Sequence, residues 1–174
     1  KVAAHSWIEV IAIPETASLM SEMRKAVFAK LSKESSVGTI FSTTRLDDDD
    51  ALARNYFDEL RQLMIAPYVG KGVSFSNGVI SYFNKDTGKL EDFGKIESIN
   101  TSQGLAYINE FRDKPEKPFS VFDLGRHKKI QERVPEIVDG RKPMFLRCEH
   151  VYQDTQKTNK GSDVRQFKRY ETIP

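Results

Sequence analysis

Hydrophobic and polar residues succeed one another along the first third of the chain in patterns that predict strands and helices in turn. Residues 6–13, SWIEVIAI, form an apolar run typical of a short buried strand, which Pro14 ends. The run VGTIFSTTRL, residues 37–46, predicts a second strand. Between Glu15 and Lys33 apolar residues recur at a spacing of three or four, which predicts an amphipathic helix with one face formed by Leu19, Met20, Met23, Val27 and Leu31.

A second amphipathic helix is predicted after residue 51. Asp49 or Asp50 stands where its side chain would cap the start of that helix. The order strand, helix, strand, helix is typical of a parallel sheet with crossover helices. The apolar residues that indicate this second helix are Leu52, Tyr56, Phe57, Leu60, Leu63 and Met64.

The middle of the chain has a different pattern. From residue 73 to residue 93, β-forming residues alternate with Asn-Gly and Asp-Thr-Gly turn signals, which predicts antiparallel hairpin strands. In the rest of the chain, residues 113–118 predict a polar loop and residues 126–138 a helix interrupted at Pro135. Residues 143–151 predict a last strand. We therefore predict an α/β fold with a mixed sheet and flanking helices.

Length and composition favour one folded domain. The 174 residues, of which 39% are hydrophobic, are enough for one core and too few for two ordinary domains. We assign residues 1–153 to a single α/β domain and residues 154–174, which lack apolar periodicity, to a basic tail. The sequence begins with Lys1 rather than Met, so we expect a fragment or a processed portion of a longer protein.

Charge and cysteine content narrow the classes of protein. A formal net charge of +2 gives no indication of a nucleic-acid partner. The single Cys148 excludes an internal disulfide framework and a multi-cysteine metal site. No apolar run approaches the roughly 18 residues of a membrane-spanning helix, and no signal-peptide pattern is present. We expect a cytoplasmic location, at most peripheral to a membrane.

Four consecutive aspartates, Asp47 to Asp50, follow the second predicted strand. Adjacent carboxylates repel one another unless cations or hydrogen-bond donors offset their charge. In an open α/β sheet, ligands bind outside the carboxyl ends of strands. We therefore expect residues 38–46 to form an interior strand that presents the aspartates in a cleft, where Asp47 and Asp49 converge on Mg²⁺ or Mn²⁺. The alternative is a helix cap with solvated neighbours.

Two other kinds of functional site, a calcium EF-hand loop and a phosphatase active site, also contain closely spaced aspartates. A calcium EF-hand loop counted from Asp47 requires Gly and Glu where this chain has Leu52 and Asp58, so that hypothesis fails. A phosphatase with an Asp-x-Asp-x-Thr strand end would require Thr at position 51, where this chain has Ala51. The phosphatase remains an alternative.

Three stretches in order carry a resemblance to a known family. The strings TTRLDDDDAL, VSFSNGVISYF and PMFLRCEHVYQDTQKTNKG, between Ser42 and Gly161, resemble the bacterial putative rhamnosyl transferases, glycosyltransferases with a GT-A-like fold. The resemblance implies a GT-A-like sheet whose nucleotide-binding half is incomplete here, because only one strand and one helix precede the aspartates. It also implies a nucleotide-sugar donor, a divalent ion and a glycan or glycoconjugate acceptor.

The same resemblance implies roles for individual residues. Asp47 and Asp49 would hold the metal, and Asp50 would be a further ligand or the helix cap. His150, at the end of the last predicted strand, would supply a third metal ligand, a neutral imidazole. His127 lies among cations and is interpreted as structural, with a phosphate contact as the alternative.

Further residues would serve the donor and the acceptor. Arg45 would brace the aspartates or contact a phosphate. Lys157 and Lys160, in the basic tail, would close over the diphosphate. Asp123 is the predicted general base for the acceptor hydroxyl, and Glu149 is the alternative.

We therefore expect a metal-dependent glycosyltransferase that transfers a sugar such as rhamnose. The first alternative is a phosphatase or phosphotransferase that uses the same aspartates. The second is a non-catalytic module that binds sugar or a cation.

Overall fold

The computed structural model describes residues 12–99 and 101–150, in which two four-stranded sheets are flanked by helices. None of the described helices is long and apolar enough to cross a membrane. Short 3-10 helices lie at Ala66–Tyr68, Val121–Leu124 and His127–Glu132. The other elements are, in chain order, α1 (Leu19–Glu34), β1 (Ile40–Arg45), β2 (Ala51–Leu52), α2 (Tyr56–Leu63), β3 (Gly72–Phe75), β4 (Asn77–Asn84), β5 (Lys89–Glu97), β6 (Leu105–Glu110), β7 (Glu136–Asp139) and β8 (Phe145–Glu149).

Both sheets are mixed, which confirms the predicted α/β class. The first sheet has the strand order β1-β6-β3-β7 and the second has the order β2-β8-β4-β5. Only the pairs β3–β7 and β4–β8 are parallel, and the other pairs are antiparallel. Ser76 alone separates β3 from β4, so the chain passes directly from one sheet into the other. Strands β7 and β8, which pair parallel with β3 and β4, also pass from the first sheet into the second.

The predicted parallel sheet with crossover helices is wrong in its first half. Strand β1 pairs antiparallel with β6 and, among the described residues, lies at the edge of its sheet rather than in the interior. Helix α1 begins at Leu19, later than Glu15, and ends at Glu34. The strand predicted at residues 6–13 lies almost wholly outside the described residues, and residues 12 and 13 belong to no strand.

Two turn signals had different outcomes. The hairpin around Asp-Thr-Gly is confirmed, because β4 and β5 pair antiparallel on either side of it. The turn predicted at Asn77 and Gly78 is wrong, since both residues lie inside β4. A Cβ atom on Gly78 would lie 2.3 Å from the ring of Phe145, so this glycine makes room for an aromatic side chain instead of turning the chain.

The segment around Pro135 also differs from its prediction. The predicted helix is reduced to the 3-10 helix His127–Glu132, and β7 begins directly after the proline. Proline lacks an N–H and cannot continue a helix, whereas Ile137 and Val138 have high β propensity. Pairing with β3 then makes this segment a strand. The polar loop at 113–118 and the last strand, β8, are confirmed.

The two faces of the first sheet bury different clusters, because successive side chains of a strand point to opposite sides. Ala106 and Ile108 of β6 pack with Tyr56 and Leu60 of α2. On the other face, Leu105 and Tyr107 pack beneath the 3-10 segments, in a cluster that also contains Val121, Leu124, Ile130 and Val134. A third cluster, of Phe41, Phe111 and Phe119, packs against Val27, Phe28 and Leu31 of α1.

A glycine before β6 joins three elements. The N–H of Gly104 donates to the carbonyl oxygen of Arg45 at 3.0 Å, and the Tyr56 hydroxyl donates to the Gly104 carbonyl oxygen at 2.5 Å. Gly104 has a φ of +71°, and a Cβ atom there would lie 2.7 Å from the Tyr56 ring. The end of β1, the start of β6 and helix α2 are therefore held together at a point where a side chain would not fit.

We predict that Gly104→Ala destabilises the fold more than Gly70→Ala does. Both glycines have positive φ, but a Cβ atom on Gly70 would meet no atom within 4 Å. Gly70→Ala should cost about 1 to 2 kcal/mol through backbone strain, and Gly104→Ala at least about 1 kcal/mol more through overpacking. Urea unfolding of both variants measures the difference. Equal costs would contradict the close packing of Tyr56 on Gly104.

Candidate functional site

The four aspartates form the turn between β1 and β2. The N–H of Asp50 donates to the carbonyl oxygen of Asp47 at 3.2 Å. Strand β2 then pairs antiparallel with β8, with Ala51 opposite Leu146, so the turn lies beside the end of β8. The cap predicted for Asp49 or Asp50 is wrong, because β2 intervenes and Asn55 is the N-cap residue of α2. The cleft expected around the turn stays a prediction.

Asp49 contacts His150 across this pairing. Asp49 Oδ2 lies 3.1 Å from His150 Nε2, although the two residues are 101 positions apart in sequence. Their side chains are 30% and 22% exposed, so the pair is partly buried but can still be reached by water or a ligand. The expected proximity of the late histidine to the aspartates is therefore confirmed for Asp49. Metal ligation by this pair stays a prediction.

Asp47 is held by Arg45. The Arg45 Nε and Nη2 atoms both donate to Asp47 Oδ1, at 3.3 Å and 3.2 Å. Both side chains are partly exposed, so the ion pair orients the carboxylate more than it stabilises the fold. The Arg45–Asp47 contact expected for bracing is therefore present, and a phosphate contact by Arg45 stays a prediction.

Asp50 fastens the turn to the rest of the protein. Gln103 Nε2 donates to Asp50 Oδ2 at 2.5 Å, and the backbone N–H of Cys148 donates to Asp50 Oδ1 at 3.0 Å. Burial raises the pKa of the Asp50 carboxyl above its usual range, although these two hydrogen bonds act in the opposite direction. Asp50 is therefore a structural anchor. Sequence reasoning missed Gln103, because a single glutamine 53 positions away carries no signal.

The predicted ligand set is not assembled as one cage. Within residues 12–99 and 101–150, no three His, Cys, Asp or Glu side chains form a group that could by itself hold a metal ion. Asp47 pairs with Arg45, and both Asp50 oxygens accept protein hydrogen bonds. The carboxylate and imidazole of Asp49 and His150 are the predicted ligands that contact each other directly.

Cations surround the turn on the side of His127. Burial lowers the pKa of the His127 imidazole, and the nearby charges of Arg45, Lys128 and Arg147 lower it further, while Asp47 opposes them. Residues from β1, β8 and the 3-10 helix His127–Glu132 thus bring positive charge to one place. Such a surface attracts an anion with more than one negative charge.

Asp123 does not have the properties of a general base. Its side chain is 6% exposed and forms an ion pair with Arg24. Its Oδ2 atom also accepts the backbone N–H groups of Phe119 and Ser120, at 2.9 Å and 3.0 Å. Burial by itself would raise the pKa of Asp123, but these hydrogen bonds and the Arg24 charge lower it overall. Asp123 joins α1 to the 3-10 helix Val121–Leu124, so the prediction that it is catalytic is corrected to a structural role.

Glu149 lies next to His150 at the end of β8. Its side chain is 26% exposed and Oε1 lies 3.6 Å from Arg147 Nη2, a loose ion pair. Lys157 and Lys160, the predicted diphosphate contacts, lie outside the described residues.

A model of the family described as putative rhamnosyl transferase matches residues 2–162 of the 174. The chain belongs to this family. Membership in the rhamnosyl transferase family indicates a glycosyltransferase, which has a sugar donor and an acceptor as partners. The match includes the aspartate turn, His150 and both tail lysines. No curated protein and no solved structure matches the chain.

We predict that Asp123→Asn lowers the free energy of unfolding by about 2 kcal/mol at pH 7, because it leaves the largely buried Arg24 charge, whose side chain is 19% exposed, without its partner. The folded pKa of Asp123 is below the ordinary 3.8. Its contribution is therefore complete above about pH 4 and is lost as the pH falls through the folded value. Urea unfolding across this pH range measures both effects.

Asp113→Asn makes the same change in the exposed loop and is the control. It should leave stability within about 0.5 kcal/mol of wild type. An Asp123→Asn protein as stable as wild type would contradict the structural role.

Proposed function

We propose that the protein is a metal-dependent, GT-A-like glycosyltransferase that moves a sugar such as rhamnose from a nucleotide-sugar donor to a glycan or glycoconjugate. The observation that carries this proposal is the 3.1 Å contact between Asp49 and His150. It joins the aspartate turn to the end of β8, two segments of the family match that are distant in sequence.

The donor atoms at this contact suit Mn²⁺, with Mg²⁺ as the second choice. A carboxylate and an imidazole are two protein ligands, and manganese accepts both types, whereas magnesium prefers oxygen ligands throughout. Two ligands fit an ion that takes its remaining ligands from phosphate oxygens and water. Such an ion, when bound, neutralises the negative charge of the donor diphosphate. Asp47 would complete the set if Arg45 moved to a phosphate.

The surrounding cations support the same assignment. Arg45, Lys128 and Arg147 come from three elements, and the charge of each acts on His127. Fixed cations beside a diphosphate stabilise the charge that develops on the leaving nucleoside diphosphate. In this proposal Lys157 and Lys160 add to that charge.

Activation of the acceptor hydroxyl requires a base near the donor sugar. Glu149 takes this role in the proposal, since it adjoins His150 and its side chain is partly exposed. Arg147, within 3.6 Å, would orient its carboxylate.

We predict that Asp49→Asn removes the metal dependence of donor binding while the fold survives. The amide has nearly the volume of the carboxylate but lacks the charge that attracts a dication. Calorimetric titration of a nucleoside diphosphate, with and without Mn²⁺, should show that wild-type affinity rises at least about tenfold with the metal, or about 1.4 kcal/mol. The variant should show little gain.

Asp48→Asn is the matched control, because it removes the same charge from the adjacent, exposed position. It should retain the metal-dependent gain. Equal gains in wild type and Asp49→Asn would contradict metal binding at Asp49. Hydrolysis of a simple phosphate ester would favour the phosphatase, and metal binding with no transfer of a donor sugar would favour the binding module.

A further inference from the structure

A cavity of about 290 Å³ lies near the end of the first sheet that is remote from the aspartates. Strand β6 runs antiparallel to β1, with Leu105 opposite Arg45 and Glu110 opposite Ile40. The cavity opens near Glu110, five residues further along β6 than Leu105, which is about 17 Å at the usual rise per residue. It is therefore a separate site, and its volume lies near the lower end of small-molecule pockets.

The wall of this cavity includes a tyrosine whose hydroxyl group has no protein partner. Tyr107 is only 4% exposed and lines the cavity. Among the described residues, its hydroxyl has no hydrogen-bond partner. It is not one of the fully enclosed atoms that lack a partner, so the cavity leaves it accessible to a ligand. Tyrosine hydroxyls of largely buried side chains ordinarily form a hydrogen bond. Burial raises the pKa of Tyr107, and the charge of Asp123 raises it further, so the hydroxyl remains protonated and able to donate.

The rim of the cavity carries excess positive charge. Arg112 already interacts with both acidic rim residues, at 3.0 Å from Glu116 and 3.7 Å from Glu110. Lys114 and Lys117 are exposed, and within the described residues neither has an ion-pair partner. A ligand with one negative charge would be attracted to these two lysines.

We propose that this cavity binds a hexuronic acid unit of the acceptor glycan. Val69 and Pro118 supply an apolar wall for the C–H face of the sugar ring. The Tyr107 hydroxyl bonds a sugar hydroxyl, and Lys114 with Lys117 attract the carboxylate. The acceptor role rests on the proposed function, but binding of the acidic sugar does not require donor or metal. The site holds a sugar unit remote from the reacting one and so affects acceptor affinity.

The test is titration of the methyl glycoside of glucuronic acid into the whole chain, without nucleotide or metal, followed by NMR. We expect saturable binding that Tyr107→Phe weakens about fivefold, the usual effect of one neutral hydrogen bond. Lys114→Ala combined with Lys117→Ala should weaken it at least as much. Methyl glucoside, which lacks the carboxylate, should bind more weakly than the glucuronide.

Lys85→Ala, in the turn between β4 and β5, is the matched surface control and should leave binding unchanged. Thermal unfolding of each variant checks that its fold is retained. Absence of saturable binding, or equal binding by wild type and both cavity variants, would overturn the proposal. So would equal affinity for the neutral glucoside. Asp49→Asn should retain glucuronide binding, so failure here is distinguishable from failure of the metal-dependent donor site.

Discussion

The hydrogen bonds of the half-buried Asp50 carboxylate are the constraint on which the geometry of the candidate site depends. One oxygen is bonded to Gln103, just before β6, and the other to the backbone of Cys148 in β8. Removing a carboxylate from water is costly, and donors on both oxygens offset that cost. The turn is thereby attached to both sheets, and Asp49 is brought to His150.

This arrangement explains how four adjacent negative charges are tolerated in one turn. Arg45 offsets the charge of Asp47, His150 contacts Asp49, and Asp48 is exposed to solvent. Each carboxylate therefore has a cation, a donor or water beside it, as mutual repulsion requires. The proposed donor site would add a metal ion beside Asp49.

Burial separates the structural carboxylates from those proposed to act on ligands. Asp123 is almost fully buried, is paired with Arg24 and has a lowered pKa, so it stabilises the attachment of α1. Helix α1 has no fully buried residue and packs through the partly buried Val27, Phe28 and Leu31, so the ion pair adds a fixed contact between α1 and the 3-10 helix Val121–Leu124. Asp49 and Glu149 are more exposed, at 30% and 26%, so a ligand can reach both carboxylates.

The sequence by itself determined the features that depend on local patterns: the presence of two helices, the Asp-Thr-Gly hairpin, the last strand and the family of the chain. The aspartates were identifiable because four adjacent charges stand out locally. Only the tertiary structure decided which carboxylates are structural, since Asp50 and Asp123 obtain their partners from residues 53 and 99 positions away. The tertiary structure also decided that β1 pairs antiparallel with β6, because no local pattern specifies the partner of a strand. The register of this pair depends on which faces both strands bury.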